Sequence, residues 1–284
     1  MSRILVIGGT GTVGRHVVSQ LAARGEQVRA MVREPARAEM PPQVEVVRGD
    51  LTAPETLEHS LDGVRTIFLV WTAPPAAVPS ALENITRHAQ RIVFLSAPLK
   101  TPHPLFQQPN PLKALMEQIE RAIQNSGADW TFLRPGMFAA NALGWWALQI
   151  RRGEPVRWPY LDVPTAPIDE RDIATIATRA LSEDGHGAAE YVLTGPQSLT
   201  QFEQLGIIGR VLRRPLKIEE ISEDQARAEL TSIFPLPALN MLLNAWSAAR
   251  GYPAHISSTF QEITGRPPRT FEDWAKDHVA QFQS

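Results

Sequence analysis

The chain has 284 residues, of which 43% are hydrophobic and 20% charged, with a formal net charge of −2 and no cysteine. This composition supports a sizeable core, and the near-neutral charge gives no electrostatic basis for binding nucleic acid or a membrane surface. The lack of cysteine excludes disulfides, thiol catalysis and thiolate metal ligands. No apolar run reaches the length of a membrane span, so we expect a cytoplasmic protein that binds small molecules.

Short apolar segments alternate with helix-like segments through the first half of the chain. The apolar segments predict strands covered on both faces, at residues 4–7, 27–32, 44–47, 66–71, 92–95 and 130–133. The segments between them carry apolar residues at helical spacing, and Thr52 and Glu55 have the spacing of a helix-capping box. The alternation predicts an α/β fold with a Rossmann-type doubly wound parallel sheet.

The rhythm of the sequence changes after Gly136, where proline and tryptophan become frequent and most later segments have helical character. We therefore predict a Rossmann domain over residues 1–135 and a small, mostly helical C-terminal substrate lobe over residues 136–284. Residues 165–195 are expected to pack back on the first domain. No linker separates the two parts, so the lobe is not expected to fold independently.

Gly8, Gly11 and Gly14 follow the first predicted strand and precede an amphipathic helix. The first glycine permits a sharp turn, the second lets a pyrophosphate approach the backbone, and the third lets the helix pack on the strand. The start of the helix then offers free amides and a positive dipole end to phosphates. The loop predicts dinucleotide binding, with Thr10, Thr12 and Val13 as further contacts.

The end of the second predicted strand indicates which dinucleotide is bound. An NAD-binding protein usually carries an acidic residue there, to bond the ribose 2′-hydroxyl. This strand instead ends in Arg33, with Arg37 one turn later, and a guanidinium suits a 2′-phosphate. We therefore predict NADP(H), although Glu34 opposes this preference and both arginines could be ordinary surface residues.

Further motifs give the chain a family resemblance. They are Val32-Arg33, Gly49-Asp-Leu51, Phe94-Leu-Ser96, Ser126-Gly-x-x-x-Thr-x-x-Arg-Pro-Gly136 and Ala166-Pro-Ile-Asp-x-x-Asp-Ile-Ala174. With the glycine loop, they resemble the NmrA-like group of atypical short-chain dehydrogenases/reductases over nearly the whole chain. The resemblance implies a Rossmann domain, a small C-terminal lobe and a nicotinamide pocket.

The same resemblance assigns cofactor contacts to positions in this sequence. It implies Asp50 and Leu51 beside the adenine, Trp71, Thr72 and Ala73 beside a ribose, and Ser96, Pro135 and Phe138 near the nicotinamide. Ligands of open α/β sheets lie off the carboxyl ends of the strands, which agrees with these positions. Alternatively, Asp50 caps a turn and Pro135 ends a strand, and neither contacts the cofactor.

Active members of the wider superfamily usually carry Tyr-x-x-x-Lys on the helix after the fifth strand, for proton transfer. Here Leu112 and Met116 occupy those two positions, and neither can move a proton. Lys113, one residue after Leu112, is a further candidate, and the alternative is a surface lysine paired with Glu117. Ser96 is better placed, but without a base partner it would act as a hydrogen-bond donor and not as an acid.

The seven histidines show no metal-site spacing, so no metal is expected. His103 lies in a proline-rich loop after the fifth predicted strand. It is a candidate acid or, alternatively, a surface histidine.

Aromatic residues are concentrated just beyond the predicted nicotinamide end. Phe138, Trp145, Trp158 and Tyr160 could form an apolar substrate pocket or could be core residues of the lobe. We predict an NADP(H)-dependent oxidoreductase that transfers hydride to a small apolar or aromatic acceptor of the quinone, enone or azo type. The alternative is a non-catalytic NADP(H)-binding redox sensor that acts through a protein partner, and an oligomer is also possible.

Overall fold

The computed structural model describes residues 3–98 and 100–283, and a seven-stranded sheet is its central feature. With strands numbered in chain order, the sheet contains β1 (Arg3–Ile7), β2 (Val28–Val32), β3 (Glu45–Arg48), β4 (Val64–Val70), β5 (Arg91–Leu95), β6 (Asp129–Pro135) and β9 (Ala189–Leu193). The strand order is β3-β2-β1-β4-β5-β6-β9, and the pairs from β3 to β6 are parallel. The six strands predicted from the sequence are confirmed, and every end lies within two residues of its prediction.

Helices link the parallel strands of this sheet. They are α1 (Gly14–Ala23), α2 (Leu57–Leu61), α3 (Val78–His88), α4 (Pro111–Asn125) and, later in the chain, α6 (Glu170–Ser182). The apolar stripe predicted on the first helix is buried, since Val17, Val18 and Leu21 have no exposed surface. The strand order reverses between β1 and β4, so the predicted doubly wound Rossmann-type sheet is confirmed.

The predicted capping box at Thr52 and Glu55 is wrong. Thr52 donates both its backbone N–H and its hydroxyl to Asp50 Oδ1, and a short 3-10 helix, Pro54–Thr56, precedes α2. A capping box does not form because the Asp50 carboxylate takes the Thr52 N–H and hydroxyl that the box would use.

The chain forms two compact units, each built from several stretches. The first comprises residues 1–97, 111–135 and 170–191, and the second comprises residues 98–110, 136–169 and 192–284. In the first unit, apolar residues of the strands and of α2, α3 and α4 form a continuous core, in which Leu5, Ile67, Phe94 and Phe132 are fully buried.

The second unit is mostly helical. Its helices are α5 (Asn141–Arg151), α7 (Gln201–Val211), α8 (Glu223–Glu229), α9 (Leu236–Ala249), α10 (Thr259–Thr264) and α11 (Phe271–Asp277). Two short strand pairs join them: β7 (Val156–Trp158) with β11 (Ile218–Glu220), and β8 (Pro164–Thr165) with β10 (Leu199–Thr200). Its core holds the fully buried rings of Trp146, Trp158, Trp246 and Trp274.

Within the described ranges, every helix is too short or too polar to cross a membrane.

Candidate functional site

The loop between β1 and α1 contains backbone geometry that only glycine provides. Gly8 has a φ of +85°, in the region that L side chains rarely adopt. A Cβ on Gly14 would lie 2.1 Å from the carbonyl oxygen of Gly8, so the helix could not approach the strand with any larger residue. The Gly11 N–H donates to the Gly8 carbonyl at 2.9 Å, which closes the turn. In the first turn of α1, the N–H groups of Arg15 and His16 donate to the carbonyls of Gly11 and Val13 at 3.2 and 3.0 Å. The positive end of the α1 dipole favours a phosphate at this loop.

A cavity of about 200 Å³ opens beside this loop, at the carboxyl ends of β1 to β4. Seven residues assigned from the sequence line it: Gly8, Thr10, Gly11, Arg33, Asp50, Leu51 and Thr72. The tight glycine loop and its adjoining cavity fit a dinucleotide phosphate. Five lining residues had no cofactor contact assigned to them from the sequence, namely Ile7, Met31, Val32, Gly49 and Val70, although Val32 and Gly49 belong to two of the motifs quoted above. Four of them are the last or second-last residues of their strands, and Gly49 directly follows β3. Their position at the ends of the predicted strands could therefore have identified them as lining residues.

Thr12 and Val13 complete the loop but do not line this cavity. Thr12 is exposed, whereas the Val13 side chain is 3% exposed and occupies the N-cap position of α1. The residues predicted beside a ribose, Trp71, Thr72 and Ala73, also differ in their surroundings. Thr72 lines the cavity, while Trp71 is 8% exposed and donates its indole N–H to the carbonyl of Ala73 at 2.7 Å. Trp71 therefore fixes the strand end from the core.

The arginines after β2 have different surroundings. Arg33 lines the cavity. Arg37 forms an ion pair with Glu34 at 2.9 Å, and both side chains are largely exposed. Arg33 is therefore the guanidinium available at the cavity, and Glu34 competes for Arg37.

The Asp50 carboxylate is held by its own turn. Its Oδ1 accepts hydrogen bonds from the N–H and the hydroxyl of Thr52, each at 2.8 Å. These bonds, the backbone one first, together with the charge of Arg33, hold the pKa of Asp50 below its ordinary value. The group therefore remains an anionic acceptor at the rim of the cavity.

Helix α4 carries the two positions where a tyrosine and a lysine were expected. Leu112 is 51% exposed, and Met116 is partly buried against the core of the first unit. Lys113, one residue after Leu112, is half-buried. Neither Leu112 nor Met116 can transfer a proton to a bound molecule.

Ser96, directly after β5, has a partner that the sequence did not reveal. Its hydroxyl donates to Glu120 Oε1 on α4 at 2.5 Å, and both residues are more than 90% buried. Glu120 is also paired with Arg134 near the end of β6, with Arg134 Nη1 2.9 Å from Oε1 and Nη2 2.9 Å from Oε2. The expectation that Ser96 lacks a carboxylate partner is therefore wrong. Glu120 follows the buried Ile119 on α4, and a carboxylate beside the apolar stripe was the signal available.

His103 lies in the second unit and is 7% exposed. Its Nδ1 accepts from the Leu105 N–H at 3.2 Å, and its Nε2 lies 2.9 Å from the Pro253 carbonyl oxygen. This arrangement assigns the ring proton to Nε2 and engages both nitrogens. His103 also borders a very small cavity, about 10 Å³, with Phe106, Met137 and His255.

The aromatic residues predicted for a substrate pocket differ in how deeply they are buried. Trp158 is fully buried and donates its N–H to Gln201 Oε1 at 2.7 Å, with Trp145 stacked on it at a centroid distance of 5.6 Å. This position favours the core interpretation for Trp158. Phe138 is half-buried and pairs with Ile168 in a parallel β-bridge. Pro135, also predicted near the nicotinamide, is the buried last residue of β6 in the first unit.

Tyr160 lies at the surface of the second unit, in an unusual backbone conformation. Its φ is +54°, which is strained for a bulky residue. Its hydroxyl donates to Glu223, and it borders an open cavity of about 480 Å³ together with Arg250. Burial, followed by the bond to Glu223, raises the pKa of Tyr160, so the phenol stays protonated at neutral pH.

The parallel sheet, the glycine loop and the cavity at its strand ends define a dinucleotide-binding Rossmann protein. Residues 8–184 match the family described as NAD(P)H-binding, and the chain belongs to that family.

Among curated proteins, the chain is 36% identical to the (4-alkanoyl-5-oxo-2,5-dihydrofuran-3-yl)methyl phosphate reductase of Streptomyces griseus, over 98% of this chain and 99% of that protein. It is 33% identical to the NAD(P)H azoreductase of Xenophilus azovorans, over 98% and 99% of the two chains. A solved structure of Citrobacter sp. triphenylmethane reductase complexed with NADP(H) has the same fold, with a TM-score of 0.81 at 20% identity, covering 98% and 99% of the chains. The predicted membership of an NAD(P)-binding family is confirmed.

Proposed function

We propose that the protein is an NADP(H)-dependent oxidoreductase that transfers hydride to a small, conjugated apolar or aromatic acceptor. Two full-length relatives support this proposal, because both are named as reductases and one is named for azo compounds. The name of the other describes a ring double bond conjugated to carbonyl groups. Both names therefore describe electron-poor conjugated systems, as the sequence analysis expected.

A conjugated acceptor is favoured by the two residues that occupy the usual tyrosine and lysine positions. With Leu112 and Met116 there, α4 provides no acid at the usual place. Bound NAD(P)H supplies the hydride. A quinone or enone acceptor spreads the resulting negative charge over its conjugated system onto a distant oxygen, so it needs a weaker acid than an isolated carbonyl. Solvent can then provide the proton, and the chain's task is to hold the two reactants in contact.

The preference for NADP(H) over NAD(H) rests on Arg33. Arg33 lines the cavity at the end of β2, where an NAD-binding protein would carry a carboxylate. A 2′-phosphate there can accept two hydrogen bonds from one guanidinium. The opposing Glu34 is neutralised by Arg37, so it does not repel the phosphate as a free carboxylate would.

We place acceptor contacts on the second unit. Phe138, Trp145 and Tyr160 are each half-buried, whereas Trp158 is fully buried in the core and stacks on Trp145. His103 and Lys113 are retained as proton-donor candidates of lower rank, since the ring of His103 is engaged on both nitrogens.

Anaerobic mixing tests the proposal. NADPH-loaded protein is mixed with a panel of quinones, enones and azo dyes, and nicotinamide oxidation is followed at its absorbance band. We expect oxidation with at least one conjugated acceptor and none with isolated ketones. Oxidation of isolated ketones alone would contradict the role assigned to Leu112 and Met116.

A non-catalytic redox sensor is the second candidate, and the same substitution at Leu112 and Met116 favours it. In that case NADPH would bind, no member of the panel would oxidise it, and the bound cofactor would change the affinity of a protein partner. Binding without turnover across the whole panel would therefore replace the first proposal with this one.

A further inference from the structure

A buried charged network lies behind the carboxyl ends of β5 and β6. Arg134 has no exposed surface, and its two terminal nitrogens grip both oxygens of Glu120. Its Nη2 also lies 3.2 Å from Glu190 Oε2, and its Nη1 donates to the Ala97 carbonyl at 3.3 Å. A bidentate guanidinium held by further oxygens leaves Glu120 little freedom to rotate.

This network fixes the direction of the Ser96 hydroxyl. A serine hydroxyl has one proton and two lone pairs. The proton is committed to Glu120 at 2.5 Å, a distance typical of a bond to a charged carboxylate. Ser96 is 8% exposed, and what its oxygen can offer to another group is a lone pair. Ser96 therefore donates within the protein, to Glu120, and can act only as an acceptor towards a bound molecule.

The order of the strands says which part of a bound dinucleotide Ser96 would meet. Arg33 follows β2, the glycine loop follows β1, Thr72 follows β4 and Ser96 follows β5. These strands are consecutive in the sheet. A dinucleotide with its 2′-phosphate at β2 and its pyrophosphate at β1 would therefore continue over β4 towards β5, and its nicotinamide riboside would come near Ser96.

We propose that the Arg134–Glu120 pair orients Ser96 so that its oxygen accepts a hydrogen bond from the nicotinamide riboside of the bound cofactor. The riboside offers donors in its ribose hydroxyls and its carboxamide N–H groups. Ser96 is then a cofactor-binding residue, and Glu120 and Arg134 are positioning residues that act through it. This inference rests on the proposed binding of NADP(H).

Two ligands separate this role from general damage to the site. Calorimetry measures the affinity of wild type and Ser96→Ala for NADPH and for adenosine 2′,5′-bisphosphate, which lacks the nicotinamide riboside. We expect Ser96→Ala to bind NADPH about five-fold more weakly, the loss of one hydrogen bond, and the bisphosphate unchanged. Ser96→Thr, which keeps the hydroxyl, should restore the NADPH affinity.

A second variant tests the positioning role. Glu120→Gln keeps the shape of the side chain but weakens the hold on the Ser96 proton. We expect weaker NADPH binding in the wild-type background and no further loss in the Ser96→Ala background, because coupled residues give non-additive effects. Ser60→Ala is the matched control, since Ser60 is also buried in the first unit and donates to the Arg48 carbonyl.

The outcomes distinguish this inference from the proposed function. Equal NADPH affinity in wild type and Ser96→Ala, or an equal loss for both ligands, would overturn the acceptor role while leaving NADP(H) binding intact. Additive losses in the double variant would overturn the positioning role of Glu120. Failure of the wild type to bind either ligand would overturn the proposed function, and the inference with it.

Discussion

Arg33 is the residue on which the choice between the two nicotinamide cofactors depends. We expect Arg33→Ala to weaken NADPH binding by roughly ten-fold or more, the cost of losing charge-assisted hydrogen bonds. NADH binding should change little, because NADH has no 2′-phosphate. Calorimetric titration of both cofactors measures the difference.

Arg87→Ala is the control for this prediction. Arg87 is an exposed arginine on α3, paired with Glu83 at 2.9 Å, and its removal should leave both affinities unchanged. An equal loss of NADPH and NADH binding in Arg33→Ala would show that Arg33 contacts a part common to both cofactors.

The glycine loop can bind a pyrophosphate only while its glycine positions carry no side chain. A Cβ on Gly11 would lie 3.2 Å from the Gly8 carbonyl oxygen, whereas one on Gly14 would lie 2.1 Å from it. We expect Gly11→Val to fold and to lose cofactor binding at least ten-fold, because the side chain occupies the space that a pyrophosphate needs. Circular dichroism checks the fold and calorimetry the affinity. Undiminished affinity in the folded variant would contradict the role of the loop.

Strands β2 and β3 are held together by a buried arginine that has no part in the site. Arg29 is 4% exposed, binds both oxygens of Glu45 and donates to the carbonyls of Ser60 and Asp62. The hydrogen bond from Arg29, with its charge, holds the pKa of Glu45 below its ordinary value of 4.5. A lowered pKa in the folded state stabilises the protein above pH 4.5, and this contribution is lost as the pH falls through the folded pKa.

Glu45→Gln should therefore lower the free energy of unfolding by about 1 kcal/mol at pH 7, since the Glu45 side chain is 41% exposed and solvent screens the pair. The difference from wild type should shrink as the pH falls below 4.5. Urea unfolding at several pH values measures it. A difference that persists unchanged at acid pH would show that the ionised form of Glu45 does not matter.

At the scale of the whole molecule, the two units have separate cores. Trp158 belongs to the core of the second unit, where Trp146 meets it edge-on at a centroid distance of 5.9 Å. We expect Trp158→Phe to lower the free energy of unfolding by about 1–3 kcal/mol, through lost packing and the lost bond to Gln201. Acceptor affinity should change less. A raised KM for the acceptor at unchanged stability would instead assign the ring to the substrate pocket.

The sequence by itself determined the sheet, the glycine loop and the cofactor class, because these depend on local patterns. Continuous apolar runs predict buried strands, and the spacing of the glycines predicts a phosphate-binding turn directly after the first strand. Seven of the residues assigned to the cofactor therefore line one cavity.

Only the tertiary structure decided which side chains pair across the chain. Ser96, Glu120 and Arg134 are 14 to 38 positions apart and meet because β5, α4 and β6 are neighbours in the fold. Likewise, whether Trp158 faces a ligand or the core depends on what Gln201 and Trp146 place around it. Such contacts join residues far apart in sequence, so neither periodicity nor spacing carries information about them.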